Sequence, residues 1–146
     1  MRILMLHVDY FTSTVTEKGR SSTVEECNLN SRTTQVDEAI LVLVSVEKQD
    51  ETNPKIVSER ATEEIAKIAH QLKVRTIVLH PFAHLFGELS KPEVAIEVLK
   101  LTEERLIQGG FKVTRTPFGW FNTLELKAKG HPLSRVARII SPTYEE

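Results

Sequence analysis

An unbroken apolar run at residues 39–46 is the feature of this sequence that most constrains its fold. The run, Ala-Ile-Leu-Val-Leu-Val-Ser-Val, lacks the alternation of a strand that has one face in water. Such runs are typical of a central strand in a sheet that is covered on both faces. The sequence therefore predicts a buried strand here.

Two amphipathic helices follow this run. Asn53 is a good helix cap and Pro54 suits the first helical position, after which apolar residues recur at spacings of three and four. This pattern predicts a helix over 54–72. A second helix is predicted from the capping-box sequence Ser-Lys-Pro-Glu at 90–93 to the glycine pair at 109–110, because glycine commonly ends helices.

Shorter segments complete a mixed sheet. We expect strands at 2–8, 11–15, 75–79, 111–115 and 123–129, a loop or irregular hairpin over 16–34, and a short final helix from Pro132 to Arg138. Strand–helix–strand order occurs twice, which implies right-handed crossovers and parallel pairing, whereas the hairpin-like remainder adds antiparallel strands. The predicted fold class is α/β, a single domain with a mixed β-sheet and helices packed against it.

Composition narrows the class of protein. The 146 residues are 40% apolar, which is enough for one domain with a substantial core. Cys27 is the only cysteine, so no internal disulfide forms and a reducing compartment is the simpler expectation. The apolar N-terminus is interrupted by His7 and Asp9, too early for a signal peptide, and no run reaches membrane-spanning length. We therefore expect a cytoplasmic protein.

Two similar turns end two of the predicted strands. The first is His-Pro-Phe-Ala-His-Leu at 80–85, and the second is Thr-Pro-Phe-Gly-Trp at 116–120. Open sheets bind ligands in the crevice beyond their strand ends. The sequence therefore predicts that the two Pro-Phe turns wall one pocket.

The histidines of the first turn permit two interpretations. A metal site at His80 and His84 would need a third ligand, such as Asp9 or His131, and Pro81 disfavours the helix that would bring the two imidazoles together. The alternative is that one histidine is a packing residue and the other is exposed, or that His84 lines the pocket and orients a substrate or water. We expect no metal.

Other catalytic constellations have little support. A triad of Ser45, His84 and Asp9 can be drawn, but no nucleophile-elbow sequence surrounds the serine. The six glycines are scattered and form no Walker or dinucleotide-binding fingerprint. These absences argue against kinase-like and dehydrogenase-like activities, and we expect no cofactor.

A basic stretch suggests an edge that contacts nucleic acid. Residues 112–138 contain six lysines and arginines against Glu125 alone, and nearby aromatic residues offer stacking faces. Lys-Gly-His-Pro at 129–132 also reads as a strand-to-helix turn, whose free N–H groups can hold an anion. A solvated basic face, packed aromatic residues and an unliganded glycine turn are the alternatives.

Six segments together resemble the N-terminal editing domain of archaeal threonyl-tRNA synthetases. They are His-Val-Asp-Tyr at 7–10, Ser-Val-Glu-Lys at 45–48, the first Pro-Phe turn, Leu-Ser-Lys-Pro at 89–92, Pro-Phe-Gly-Trp at 117–120 and Lys-Gly-His-Pro-Leu at 129–133. The resemblance implies a D-aminoacyl-tRNA deacylase-like fold, a homodimer, and hydrolysis of L-serine wrongly attached to threonine tRNA. It covers nearly all of 1–146, which we interpret as one editing domain, either part of a longer chain or a separate protein.

The resemblance also implies site residues. The catalytic positions are His84 and Asn122. The substrate-binding positions are Val44, Ser45, Val46, Glu47, Pro81, Phe82, Ala83, Phe118, Gly119, Trp120 and Phe121. The positions expected to contact tRNA are Lys129, His131 and Arg135.

The chain departs from the family that it resembles at three of these positions. Related domains often carry tyrosine and lysine where this chain has Phe121 and Asn122, and an acidic residue where it has Arg135. We therefore favour the mechanism that the resemblance implies, in which the 2′-hydroxyl of the terminal adenosine positions or activates the attacking water while main-chain N–H groups stabilise the oxyanion.

Two other functions stay open at this level. One is D-aminoacyl-tRNA deacylation, although the Ser-Gln-Phe-Thr and Gly-Pro signatures of that family are absent. The other is a catalytically silent module for tRNA binding or dimerisation. The expected partners are the 3′-terminal adenosine of threonine tRNA carrying serine, a second copy, and a fused or separate synthetase catalytic domain.

Overall fold

The computed structural model describes residues 1–28, 30–85 and 87–143. The strands within these ranges are β1 (Arg2–Lys18), β2 (Thr33–Val36), β3 (Ala39–Ser45), β4 (Thr76–Pro81), β5 (Lys112–Arg115), β6 (Trp120–Asn122), β7 (Glu125–Ala128) and β8 (Arg135–Ile139). The helices are α1 (Pro54–Leu72) and α2 (Pro92–Gln108), and a 3₁₀ turn spans Lys48–Thr52. None of the described helices is both long and apolar enough to cross a bilayer.

The long strand β1 organises the sheet. Along one edge it pairs antiparallel with β3 over residues 2–8 and with β2 over 11–14. Along the other edge it pairs with β8, β7 and β6 in turn. The register shifts after Val8 and Val15, and such bulges increase strand twist without ending the strand. The two strands predicted at 2–8 and 11–15 are therefore one.

The other half of the sheet is parallel. Strand β3 pairs with β4, and β4 pairs with β5, while α1 and α2 form the two crossovers. Every residue of β3 is buried, which confirms the central strand predicted from the apolar run. Alternate β3 residues contribute to two separate clusters, one shared with the helices and one formed within the curled sheet around Phe11 and Val78.

Local signals place the helices well, with one exception. Asn53 caps α1 by accepting a hydrogen bond from the amide of Ile56 at 3.3 Å, and Gly109 caps α2. The capping box predicted at 90–93 is wrong, because α2 is capped by Lys91 without a side-chain hydrogen bond. Glu93 instead accepts a hydrogen bond from the Thr23 hydroxyl at 2.6 Å.

The predicted final helix is also wrong, because residues 135–139 form β8. This strand pairs with residues 2–6 of β1 and buries Val136 against the helix-side core. No helix begins at Pro132, so the predicted anion site at a helix N-terminus does not form there. Strand β2 begins within the loop predicted over 16–34, and β6 begins at the last residue of the second Pro-Phe turn and ends before the strand predicted at 123–129. Neither strand was predicted, because each forms by pairing with the distant half of β1.

Candidate active site

A cavity of about 580 Å³ lies beyond the carboxyl ends of the parallel strands. Pro81 and Phe82 of the first turn line it, as do Phe118 and Gly119 of the second. The prediction that the two Pro-Phe turns wall one pocket is therefore confirmed. The crossovers bring these turns together because β4 and β5 are parallel neighbours.

Most of the positions expected to form the site line this cavity. They are Val44, Ser45, Val46, Pro81, Phe82, Ala83, His84, Phe118, Gly119, Trp120, Phe121 and Asn122. Glu47 lies outside the lining, where it is buried and ion-paired with the amino group of Met1 at 3.2 Å. The structure thus brings together the expected pocket and separates Glu47 from it.

The three positions expected to contact tRNA also lie outside the cavity lining. Lys129 donates to Asp9 at 2.5 Å and lies 3.4 Å from Glu38, so its charge is already paired. The imidazole of His131 hydrogen-bonds to that of His7 at 2.8 Å. Arg135 is exposed on β8. Contact between these residues and tRNA stays a prediction.

Much of the basic stretch at 112–138 is neutralised by ion pairs. Arg115 pairs with Glu25 and with Glu103, and Arg138 lies 3.4 Å from Glu64. Together with the paired Lys129, these contacts pair three of the six basic side chains of this stretch, and Lys127 lies 4.0 Å from Asp9. The ion pairs favour the structural interpretation of its basic residues.

His80 forms part of the cavity wall as a neutral, buried side chain. It is 1% exposed, and its Nδ1 shares a hydrogen bond of 2.7 Å with the hydroxyl of Thr116. Burial lowers the pKa of His80 to about 4, although a hydrogen bond that the imidazole donates to the Asn122 side chain opposes this shift. His80 is therefore the packing histidine of the pair, and it also supports Asn122.

The first Pro-Phe turn is fixed to the end of β3. The amide of Phe82 donates to the Val44 carbonyl at 2.8 Å, and the hydroxyl of Ser45 donates to the Phe82 carbonyl. The ring of His84 packs edge-on against Phe82 with 5.1 Å between centroids. These contacts hold the turn rigid, and His84 is exposed at the cavity surface.

Two main-chain donors in this turn are free. The amides of Ala83 and His84 have no hydrogen-bond acceptor among the residues that the structure describes. Adjacent amides on a rigid turn that lines a cavity can stabilise a developing oxyanion. The first turn therefore offers a candidate oxyanion site.

The cavity offers few reactive side chains. Within the described part of the chain, its lining contains no aspartate, glutamate, cysteine, lysine or tyrosine. The Ser45 hydroxyl already donates a hydrogen bond to the Phe82 carbonyl, and Asp9 pairs with Lys129 outside the lining. The Ser45–His84–Asp9 triad is therefore not assembled. The described residues also contain no cluster of three or more side chains suited to a metal ion. The described lining therefore offers main-chain amides, imidazoles, serine hydroxyls and the side chains of Arg20 and Asn122 for chemistry.

Sequence reasoning missed a third wall, the strap, which comprises residues 19–28. The Glu25 carboxylate accepts hydrogen bonds from Arg115 and from the amide of Phe118, and its carbonyl accepts one from the Trp120 indole at 2.7 Å. Gly19 donates to the Gly119 carbonyl at 2.8 Å. A side chain at Gly19 would clash there, because an added Cβ would lie 2.6 Å from that oxygen. The strap thus clamps the second turn.

The strap places Gly19, Arg20 and Ser21 in the cavity lining. No periodicity marks this segment, because its partners lie 70 or more residues away along the chain. Only its polar composition and Gly19 set it apart, and these predict a loop without saying where the loop packs. The contribution of Arg20 to the site was therefore not predictable from local pattern.

Comparisons with known proteins agree with this architecture. Residues 1–140 match the model of the archaea-specific editing domain of threonyl-tRNA synthetase. The chain is 44% identical over 142 residues to the threonine–tRNA ligase of Thermococcus kodakarensis, covering 97% of the chain and 22% of that protein. It is 42% identical over 140 residues to the ligase of Methanocaldococcus jannaschii, again covering 22% of the relative and 96% of the chain.

A solved structure titled c-Myc DNA unwinding element binding protein shares the fold with a TM-score of 0.58. It is 12% identical, and the match covers 95% of this chain and 98% of that one. The chain spans under a quarter of the length of the curated relatives above. The family match over residues 1–140 and the relatives lead to one conclusion: the chain belongs to the archaea-specific editing domain family of threonyl-tRNA synthetase.

Proposed function

We propose that this domain hydrolyses the ester of L-seryl-tRNA specific for threonine, and does so in the cytoplasm. The observation that carries the proposal is a pair of amides, at Ala83 and His84, that donate to none of the described residues. They lie on a turn in a cavity whose described lining holds no carboxylate or thiol. Such a site suits hydrolysis of an activated ester that brings its own hydroxyl group. An aminoacyl-tRNA is a substrate of this kind.

The chemistry of threonine selection explains the need for this activity. A synthetic site built for threonine cannot strongly exclude serine, because one missing methyl group is worth about 1–3 kcal/mol. A second site must remove the error. Rigid walls at Phe82 and Phe118 can admit serine and reject the extra methyl group of threonine by steric clash.

In the proposed mechanism, water attacks the ester carbonyl carbon. The terminal 2′-hydroxyl positions or activates this water, and the amides of Ala83 and His84 stabilise the oxyanion. The bond from the carbonyl carbon to the ribose 3′-oxygen then breaks, and that oxygen takes up the proton. His84 and Asn122 shape the pocket around the serine, while His80 supports Asn122.

The partners follow from this substrate and from one exposed surface. The substrate is the 3′-terminal adenosine of threonine tRNA carrying serine, and a synthetase catalytic domain, fused or separate, supplies it. A second copy is the proposed occupant of the sheet face that carries Ile139, which is 70% exposed on β8. Ile139 lies opposite Arg2 of β1, and the partly buried Leu4 is paired with Ala137 further along the same two strands. This homodimer is tested below.

The direct test compares hydrolysis of L-seryl, L-threonyl and D-seryl esters of the same threonine tRNA. Selective loss of L-serine supports the proposal. Cleavage of the D-seryl ester alone would assign the chain to D-aminoacyl-tRNA deacylation. Binding without hydrolysis of any ester would leave it a silent tRNA-binding module.

A further inference from the structure

The mouth of the cavity differs chemically from its floor. Among the described lining residues, Arg20 is the only lysine or arginine, and no acidic side chain opposes it. Arg20 is exposed and makes no ion pair or side-chain hydrogen bond with the described residues. The charge of the mouth therefore favours an anionic ligand.

The strap fixes the backbone on both sides of this arginine. On one side, the Gly19 amide bonds to Gly119 at 2.8 Å. On the other, the Ser21 hydroxyl donates to the Thr23 carbonyl at 2.9 Å, and Thr23 donates to Glu93 of α2 at 2.6 Å. These hydrogen bonds already order the loop backbone in the folded protein. Binding of an anion therefore needs to order only the Arg20 side chain.

Exposed apolar side chains surround the same opening. Leu89, Phe121 and Leu124 all line the cavity and are 48%, 53% and 43% exposed. Aromatic faces beside a cationic group are the combination with which proteins bind single-stranded nucleic acid, because bases stack on the ring and the cation tracks the phosphate. Binding of a seryl group alone requires neither the Arg20 cation nor the exposed Phe121 ring.

We propose that Arg20 and Phe121 form a subsite for the nucleotide that precedes the terminal adenosine in a single-stranded RNA 3′ end. Arg20 binds the phosphodiester on the 5′ side of the adenosine, and Phe121 stacks on the preceding base. The inference rests on the proposed function, because it assumes that the esterified adenosine occupies the cavity. It assigns substrate contacts to Arg20 of the strap and Phe121 of β6 instead of the lysines and arginines of the stretch at 112–138.

A series of truncated substrates isolates each contact. The probes are the 3′-seryl esters of adenosine, of adenosine 5′-monophosphate and of the dinucleotide cytidylyl-adenosine. For the unaltered protein, kcat/KM should rise about tenfold when the phosphate is added and again when the cytidine is added, as expected for one charged contact and one stacked base. Arg20→Ala should abolish the first rise, and Phe121→Ser the second.

Controls separate this inference from the proposed function. Arg32→Ala removes an exposed arginine outside the cavity lining and should leave both rises intact. Hydrolysis of all three esters at one rate would overturn the subsite while leaving the editing activity in place. Failure to hydrolyse the three esters and also the full seryl-tRNA ester would overturn both the subsite and the proposed editing function. Equal rises in Arg20→Ala and the unaltered protein would remove Arg20 from the subsite.

Discussion

The hydrogen bond of 2.7 Å between His80 and Thr116 joins the roots of the two Pro-Phe turns. His80 begins the first turn and Thr116 begins the second, and both side chains are buried. Asn122 bonds to the same imidazole, so three segments of the cavity wall meet at His80. A neutral imidazole is well suited to this place, because it can donate from one nitrogen and accept at the other.

Protonation of His80 should therefore weaken the fold. The pKa is about 4 in the folded protein against an ordinary 6.5, so the unfolded chain binds more protons between these values and stability rises with pH across that window. The shift in pKa corresponds to about 3 kcal/mol in the free energy of unfolding. This contribution is fully present above pH 6.5 and is lost as the pH falls toward 4. Urea unfolding at pH 4.5 and 7 measures it, and His80→Gln should lose most of this pH dependence. An unchanged dependence in the variant would refute the assignment.

Ser45 is expected to be structural and not a nucleophile. Ser45→Ala removes the hydroxyl that donates to the Phe82 carbonyl, so the free energy of unfolding should fall by about 1 kcal/mol and deacylation should slow only a fewfold. Ser90→Ala, which removes another lining hydroxyl, serves as the control. Steady-state hydrolysis of seryl-tRNA checks both variants, and activity at background level in Ser45→Ala alone would restore the serine-nucleophile reading.

Glu25 should hold the strap in place. Glu25→Ala removes the acceptor of Arg115 and of the Phe118 amide and leaves Arg115 half-buried with only Glu103 as a partner. Loss of one partner from a buried ion pair costs about 3–5 kcal/mol, and the remaining Glu103 and partial exposure make about 2 kcal/mol the expected loss. Limited proteolysis should cut the variant within 19–28. Glu26→Ala, at an exposed neighbour, should resist cleavage as the unaltered protein does.

The homodimer predicts a clear response to charge on β8. Ile139→Lys places an ammonium group where the most exposed large apolar side chain of the described chain now lies, so association should weaken by at least tenfold. Ile107→Lys, at a similarly exposed position on α2, is the matched control. Sedimentation velocity over a range of concentrations distinguishes the two. A monomeric unaltered protein, or equal weakening by both substitutions, would contradict the proposed interface.

Local sequence signals explain which parts of this fold could be predicted. The apolar run of β3, the Asn53 cap and the glycine stop at 109–110 each act within a few residues, and the structure contains all three elements. Strands β2, β6 and β8 were missed because each is defined by pairing with the unusually long β1. The five residues of β8 have only Val136 buried, too little alternation to reveal a strand.

The candidate site also has parts that local sequence predicts and parts that it does not. The two Pro-Phe turns could be predicted to meet, because each follows a strand of one parallel sheet. The place of Arg20 could not be predicted, because it depends on contacts between the strap and residues 118–120. The role of His80 could not be predicted either, because it depends on a contact between β4 and Asn122. Such contacts are long-range and polar, and hydrophobic periodicity carries no information about them.

The most direct test of the account replaces the terminal adenosine of L-seryl-tRNA with 2′-deoxyadenosine and measures single-turnover hydrolysis. The cavity lining holds no carboxylate or thiol in the described chain, so we predict loss of hydrolysis with the deoxy ester, whereas His84→Ala and Asn122→Ala slow the normal ester only modestly. Normal cleavage of the deoxy ester, with activity lost in His84→Ala, would show that a side chain and not the substrate activates the water.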